Sequence, residues 1–590
     1  MACTFPGARD LTTFWSNVES GFDAIREVPA TRWDPSHYDP SSSSPDRFYC
    51  MRGGFIDDLA DFDPAAFGIM PVAAKGAEPD QLLALACATR ALRDAGYENR
   101  PFSREKTGVV LGRGNYAGAG RTRLADFVRT AEQLVVALRS LLPNVSEEDL
   151  ERVKLEFQSK LDPVGPDTAI GLVPNLTASR VSSRLDLHGS AFTVDAACAS
   201  SLVAVDHACA ELASGRSDMM IAGGIQVCHD ETFWSVFTQL GALSRNQKIR
   251  PFDRRADGLL IGEGVGVLVL KRREDAEKAG DRIYAVIRGT GVSSDGRGSS
   301  PMAPRAEGQL LALERAWTAA GLDRTSVGLV EAHGTATPAG DEAEIDTLRK
   351  FFGASPNADV VLGSVKSMIG HTMAAAGIAG LIKSILAIHH RTLPPTLHCE
   401  EPRDELAGSR FRVLAKSEPW NSASRRCAAV SAFGFGGINA HVVVEEHDVS
   451  RTKISDFPVS TQPVEEMAIY SAVSRDALLA DLADDRRRAD GGSERLVLFG
   501  PTPERLRRAT EIVERGRTWR GREGIWFSSD RQLENGKIAF LFPGVSATFE
   551  PRVEDLARHF DLPVPKHLNP TNLEETGFAI VEVNRLVDHA

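Results

Sequence analysis

A chain of 590 residues with 42% apolar residues and a formal net charge of −12 is long enough for several domains and has the make-up of an ordinary folded protein. The acidic balance excludes nucleic-acid binding as the main activity and still allows local basic patches for an acidic partner. The eight cysteines, at positions 3, 50, 87, 198, 209, 228, 399 and 427, form no CxxC and no zinc-type Cys/His spacing; with no apolar run of 18 residues and no signal peptide, the expectation is a protein of the reducing cytoplasm with no structural metal, disulfide framework or membrane span.

Met1 to Gly7 reads as a turn. Residues 8–35 carry a helix pattern on Leu11, Phe14, Trp15 and Val18, and 81–95 form a second helix. Thr107 to Leu111 is a strand, followed by Gly112-Arg-Gly-Asn-Tyr-Ala117. This formally matches the dinucleotide fingerprint, but a poor helix start follows and no acidic residue stands at the required distance, so it is read as a structural glycine loop. Residues 121–165 form a helical insert: an amphipathic helix (Leu124, Val128, Leu134, Val135, Leu138, Leu141), then a second helix after the capping box Ser146-Glu-Glu-Asp149.

Ala191 to Val194 is a short buried strand that turns at Asp195–Ala197 into a helix with Leu202, Val205, Cys209 and Leu212 on one face and Gly215 as its stop. Further strands are expected at 218–224, 264–270, 282–287, 326–332, 360–365, 426–432 and 442–446, with helices at 309–320 and 374–389. The alternation points to an α/β fold with sheet covered on both faces. Beyond 446 the composition shifts: 447–465 is linker-like, 484–495 is a charged loop, and Lys537 to Gly544 opens a fresh strand and turn.

Four stretches gather chemical side chains among small residues. In Thr193-Val-Asp-Ala-Ala-Cys-Ala-Ser-Ser-Leu202, Cys198 sits where a strand meets a helix start, and free N–H groups and the helix dipole favour its thiolate. In Leu329-Val-Glu-Ala-His-Gly-Thr-Ala-Thr-Pro-Ala-Gly-Asp341, a strand delivers His333, and Asp341 with Glu344 is read as capping the next helix. Leu362-Gly-Ser-Val-Lys-Ser-Met-Ile-Gly-His371 presents Lys366 and His371. Phe433-Gly-Phe-Gly-Gly-Ile-Asn-Ala-His441 brings backbone N–H groups within reach of a ligand. One cysteine with two imidazoles is the equipment of covalent acyl chemistry.

VDAACASSL, EAHGTATPAGD, GSVKSMIGH and FGFGGINAH resemble, in this order, the signature blocks of the β-ketoacyl synthase domains of modular and iterative polyketide synthases. With FPGA near the start, RPFDRRADG and the helical insert, the sequence is most similar to iterative synthases of the polyunsaturated-fatty-acid and glycolipid type. The resemblance implies a thiolase-like layered α/β/α/β/α fold over residues 1–446, a small α/β linker domain over 447–536, and over 537–590 the truncated start of an acyltransferase, whose opening IAFLFPG resembles. It implies a decarboxylative Claisen condensation. Cys198 takes an acyl chain from an acyl carrier protein, which brings its own phosphopantetheine. His333 and His371 stabilise the enolate of a malonyl thioester, Lys366 supports His371, and Phe435 gates the site. The N–H groups of Cys198 and Phe435 form the oxyanion hole, and the chain itself needs no cofactor or metal. It also implies a homodimer, paired through the edge strand before Cys198.

Two departures set further expectations. The family normally has an apolar strand before the MAC-FPG segment, so either a central strand is missing or the start of the chain was set late. No GxSxG elbow occurs, so no acyltransferase activity is expected and malonyl units come from a separate acyltransferase. A thiolase would need a second cysteine, absent from 400–426, and a chain-length factor would lack Cys198. The alternative is an inactive fragment serving as a dimerisation or docking scaffold.

Overall fold

The computed structural model describes residues 1–447 and 467–529, apart from 115–117, 163, 298–302, 356, 423, 490 and 521–523. The expected linker at 447–465 lies almost wholly outside the described residues, and the 537–590 segment entirely so. The chain divides into two compact units, Met1–Lys453 and Ile454–Ala590.

The first unit is built on two sheets. One has five strands in the order Ala2–Thr4, Gly264–Leu270, Met219–Gln226, Thr107–Arg113, Ala191–Val194. The other has six, in the order Phe411–Arg412, Val360–Gly363, Val327–Glu331, Cys427–Gly434, Ile438–Glu445, Val286–Ser294. Without the short Phe411–Arg412 edge, the two share one topology. In each, the first strand in sequence is the edge, antiparallel to the last; the last is antiparallel to the fourth; and the second is parallel to both the third and the fourth.

Side-chain alternation along the strands fixes the layers. Val110, Met220, Ala222 and Leu268 of the first sheet, and Leu329, Val361, Ala428, Val430, Val442 and Val444 of the second, face one shared core. That core holds the helices Ser200–Ala213 and Ala376–His390. The intervening residues Val109, Leu111, Ile221, Val265 and Val267 pack outward on Pro79–Asp94 and Leu176–Leu185. Val330, Leu362, Ala429 and Val443 pack outward on Ala306–Ala320 and Pro338–Phe352. The result is the thiolase-like layered fold. Met373–His390 is long and apolar enough to cross a membrane, but it is mostly buried and serves as a core helix.

Several expectations change. Residues 2–4, read as turn, are a strand registered on Val265–Val267 at the edge of a sheet whose centre is Met219–Gln226. The strand expected at 282–287 begins only at Val286 and runs to Ser294. The poor helix start after the glycine loop is a helix, Ala119–Ala125, because the Glu78 carboxylate accepts the Gly120 N–H at 2.7 Å and stands in for a cap. Gly112 itself is a packing glycine: a Cβ there would lie 2.5 Å from the backbone of Ser200 and Ser201. The insert forms as read, with Ala131–Leu141 and then Glu147–Ser159, whose Asp149 N–H donates to Ser146 Oγ at 3.1 Å.

In the second unit, Met467–Ala472, Glu494–Phe499, Ile525–Ser528 and Trp519–Arg520 make an antiparallel sheet packed with Arg475–Ala483 and Pro503–Arg515.

Candidate active site

Cys198 lies between the Ala191–Val194 strand and a helix that begins at Ser200. The turn is held tightly. Asp195 Oδ1 accepts the Ala197 N–H at 3.0 Å, while Ser200 Oγ accepts the Ala196 N–H at 2.8 Å and donates to the Ala197 carbonyl at 2.6 Å. Ala197 has φ +49°, a left-handed conformation disfavoured for alanine, which the surrounding bonds impose. Gly434 lets the opposing strand press onto this turn: a Cβ there would stand 2.5 Å from the Ala196 carbonyl oxygen.

His371 follows Gly370, whose φ of +76° suits glycine alone. Its backbone is pinned by His371 N–H to the Leu260 carbonyl at 2.7 Å and Gly262 N–H to the His371 carbonyl at 2.9 Å. Its Nδ1 accepts the Met373 N–H at 3.3 Å, and its Nε2 faces Cys198 Sγ at 3.1 Å. His333 comes off the Val327–Glu331 strand; its Nδ1 accepts the Phe433 N–H at 3.3 Å, and its ring lies 5.5 Å, edge to face, from that of His371. In both rings Nδ1 is an acceptor, so the proton of the neutral imidazole sits on Nε2. Burial holds both histidines well below the usual range, and the Lys366 ammonium adds to this. The site therefore presents two uncharged N–H donors.

Lys366 is buried beside these groups. Burial pushes its basicity down, and Glu331 and Glu344 oppose that. Cys198 differs from expectation. Burial pushes its thiol up to about 11, outweighing Lys366 and the N–H groups of Phe435 and Cys198, which favour the thiolate. Those two N–H groups are the pair expected as an oxyanion hole. Phe435 is half-buried, its ring 6.2 Å from that of Phe237.

Asp341 and Glu344 are not helix caps. Thr337 takes the N-cap of Pro338–Phe352, and the two carboxylates reach back into the preceding loop. Glu344 accepts the His333 and Gly334 N–H groups at 2.7 and 2.8 Å, and Asp341 accepts those of Phe252 and Ala336 at 2.7 and 3.1 Å. Their scaffolding of the His333 loop was hidden because an acid early in a helix reads first as a cap. Phe237, too, gave no signal beyond an ordinary helix face.

Two sheets of one topology closing over a cysteine and two imidazoles define the thiolase-like class of protein. Within it the chain belongs to the β-ketoacyl synthase family: the model "Beta-ketoacyl synthase, N-terminal domain" matches residues 1–276, "Beta-ketoacyl synthase, C-terminal domain" 284–400, and "Ketoacyl-synthetase C-terminal extension" 402–492. It is 37% identical over 75% of its length to polyketide synthase PksN of Bacillus subtilis, and 32% identical over 95% to a component of the polyunsaturated fatty acid synthase of Thraustochytrium sp.. It spans 8% and 21% of those relatives. A solved ketosynthase domain of Streptomyces albus JA3453, from oxazolomycin synthesis, matches with a TM-score of 0.65 and 30% identity, over 89% of this chain and 88% of that one. The chain is a ketosynthase of the polyketide and polyunsaturated-fatty-acid synthase kind, an acyl-transferring enzyme.

Proposed function

We propose that Cys198 Sγ takes an acyl group from a carrier-protein thioester, releasing the carrier thiol, and that the acyl chain is then joined to a malonyl thioester. The malonyl carbonyl oxygen accepts the Nε2–H of His333 and of His371. The bond to the carboxylate breaks, carbon dioxide leaves, and the electron pair passes into an enolate held by the two donors. The enolate carbon attacks the acyl carbon, the C–S bond breaks, and Cys198 departs as thiolate from a β-ketoacyl thioester. During both transfers the N–H groups of Cys198 and Phe435 serve as the oxyanion hole. Neutral imidazoles can fill this role, since with Nδ1 accepting a backbone N–H each keeps its one N–H on Nε2. The reaction draws its driving force from decarboxylation and asks no metal or redox cofactor of the chain; phosphopantetheine arrives on the carrier.

The observation that carries this reading is the pairing of His371 Nε2 with Cys198 Sγ at 3.1 Å, with His333 completing a three-sided site. Assembly of the site from both halves favours it over an inactive scaffold. Lys366 acts on the imidazoles through its charge. Phe435, between Gly434 and Gly436 with φ +89°, is placed to swing as a gate. The partners that fit are an acyl carrier protein, an acyltransferase supplying malonyl units, and a second copy of the chain, since Ala191–Val194 is the last strand in its sheet among the described residues. We place residues 447–536 as the linker domain, and the protein in the cytoplasm, in keeping with eight free thiols.

Cys198→Ala is expected to abolish acyl loading, seen as loss of the mass shift on the Cys198 peptide. His333→Ala and His371→Ala are each expected to load normally and to lose release of labelled carbon dioxide from malonyl thioester by at least about a hundredfold. Normal decarboxylation in either variant would refute its role.

A further inference from the structure

Glu331 and Lys383 form an ion pair that the reaction as described does not use. Lys383 Nζ donates to Glu331 Oε2 at 2.6 Å, with the two side chains 2% and 0% exposed for Glu331 and Lys383 respectively. The other oxygen, Oε1, accepts the Val365 N–H at 2.6 Å. The protein clears space for the pair: a Cβ on Gly363 would stand 3.0 Å from Lys383 Nζ, and one on Gly380 would stand 2.8 Å from Glu331 Cγ. Burying two charges this deeply is costly, and isosteric apolar replacements are often no less stable, so stability alone accounts poorly for it.

Its location says more. Glu331 ends the strand that delivers His333, two residues on. Val365 opens the short helix Lys366–Ile369 that leads to His371. Lys383 lies on the Ala376–His390 core helix. One carboxylate thus ties together the His333 strand, the Lys366–His371 turn and the core helix.

We propose that Glu331, held in place by Lys383, is a positioning residue for the decarboxylation half-reaction: it sets the Lys366–His371 turn against the His333 strand through its bond to the Val365 N–H. The proposal rests on the condensation described above. The charged and titratable groups around Lys366 are Glu331, Glu344, Asp341 and Cys198, which favour its cation when charged, and His333, His371 and Lys383, which oppose it. Of these, Glu331 favours the Lys366 cation most strongly, ahead of Glu344, while Lys383 disfavours it. Loss of Glu331 therefore favours neutral Lys366, although Lys383 is its ion-pair partner. Cys198 and its turn hang from the other sheet, so acyl loading feels the loss only through weaker support of the thiolate by Lys366 and falls less than decarboxylation.

The test compares wild type with Glu331→Gln, which keeps an oxygen for the Val365 N–H, and with the double variant Glu331→Gln/Lys383→Met, which leaves no buried charge unpaired. The two half-reactions are read separately: acylation of Cys198 by an acyl thioester, and carbon dioxide release from a malonyl thioester across pH. Wild type running both establishes the reaction itself. The expected result for the double variant is a melting temperature near that of wild type and loading within about twofold. Decarboxylation falls at least tenfold, and the alkaline limb of its pH profile moves to lower pH. Equal decline of both half-reactions, or decarboxylation within twofold of wild type with an unmoved pH profile, would overturn the proposal. If the double variant does not fold, Glu331→Gln alone decides by the same two readouts.

Discussion

The resting state of Cys198 is open to a direct chemical test. Two effects compete at its sulfur. The helix beginning at Ser200 and the nearby N–H groups favour the thiolate, the helix end by about 0.3–1 kcal/mol. Burial opposes them and moves the thiol from an ordinary value of 9.0 to about 11. Two pH units correspond to roughly 3 kcal/mol, so burial wins. At pH 7 the thiolate is then about one part in ten thousand, against about three in a hundred for a free thiol near 8.5. Alkylation of Cys198 by iodoacetamide is expected to be about three-hundredfold slower than that of a free cysteine at pH 7, before any steric hindrance. Its rate should rise tenfold per pH unit from pH 6.5 to 9.5, followed by mass spectrometry of the Cys198 peptide. The sign follows from the direction of the shift: a raised thiol stays protonated throughout that window. A rate that levels off below pH 8 would refute the reasoning and restore a thiolate poised by the helix end.

Gly434→Ala is expected to lower the melting temperature by a few degrees and acyl loading by more than tenfold, because its Cβ meets the Ala196 carbonyl at 2.5 Å and displaces the nucleophile turn. Unchanged loading would show that the turn tolerates the intrusion. Asp341 is pushed by burial up to about 7, and Glu344 is shifted the same way. Folded values above the unfolded ones give stability that is present at low pH and lost as pH rises through about 7. Melting temperature should therefore decline between about pH 4 and 7 and level off above, and Asp341→Asn should flatten the slope; an unchanged slope would remove Asp341 as its source.

The chemical blocks were legible in the sequence because each combines a strand end, small residues and a reactive group within a dozen positions. Cys198, His333, Lys366 and His371 are drawn together in space, as their blocks suggested. What escaped was set by long-range contact. Ala2–Thr4 is too short to show a period of two, and only its register on Val265–Val267 makes it a strand. The charge state of Cys198 depends on layers of chain from both sheets, which no local pattern reports. Glu331 lay inside a recognised block near the end of an expected strand; its partner Lys383 stands 52 positions away on the helix expected at 374–389, and no local pattern links the two. The shared topology of the two sheets had no visible counterpart as a sequence repeat.

That shared topology bears on where such a site can form. The turn carrying Cys198 follows the third strand of the first sheet, Ala191–Val194, and the turn carrying Lys366 and His371 follows the third strand of the second, Val360–Gly363. The helices that succeed them, Ser200–Ala213 and Ala376–His390, lie in the same core, where Ser201 Oγ accepts the Ile378 N–H at 2.9 Å. Equivalent places in the two sheets thus carry different chemistry, a thiol in one and an ammonium with an imidazole in the other. Neither sheet carries both, so the pairing of His371 Nε2 with Cys198 Sγ at 3.1 Å exists only where the two sheets meet.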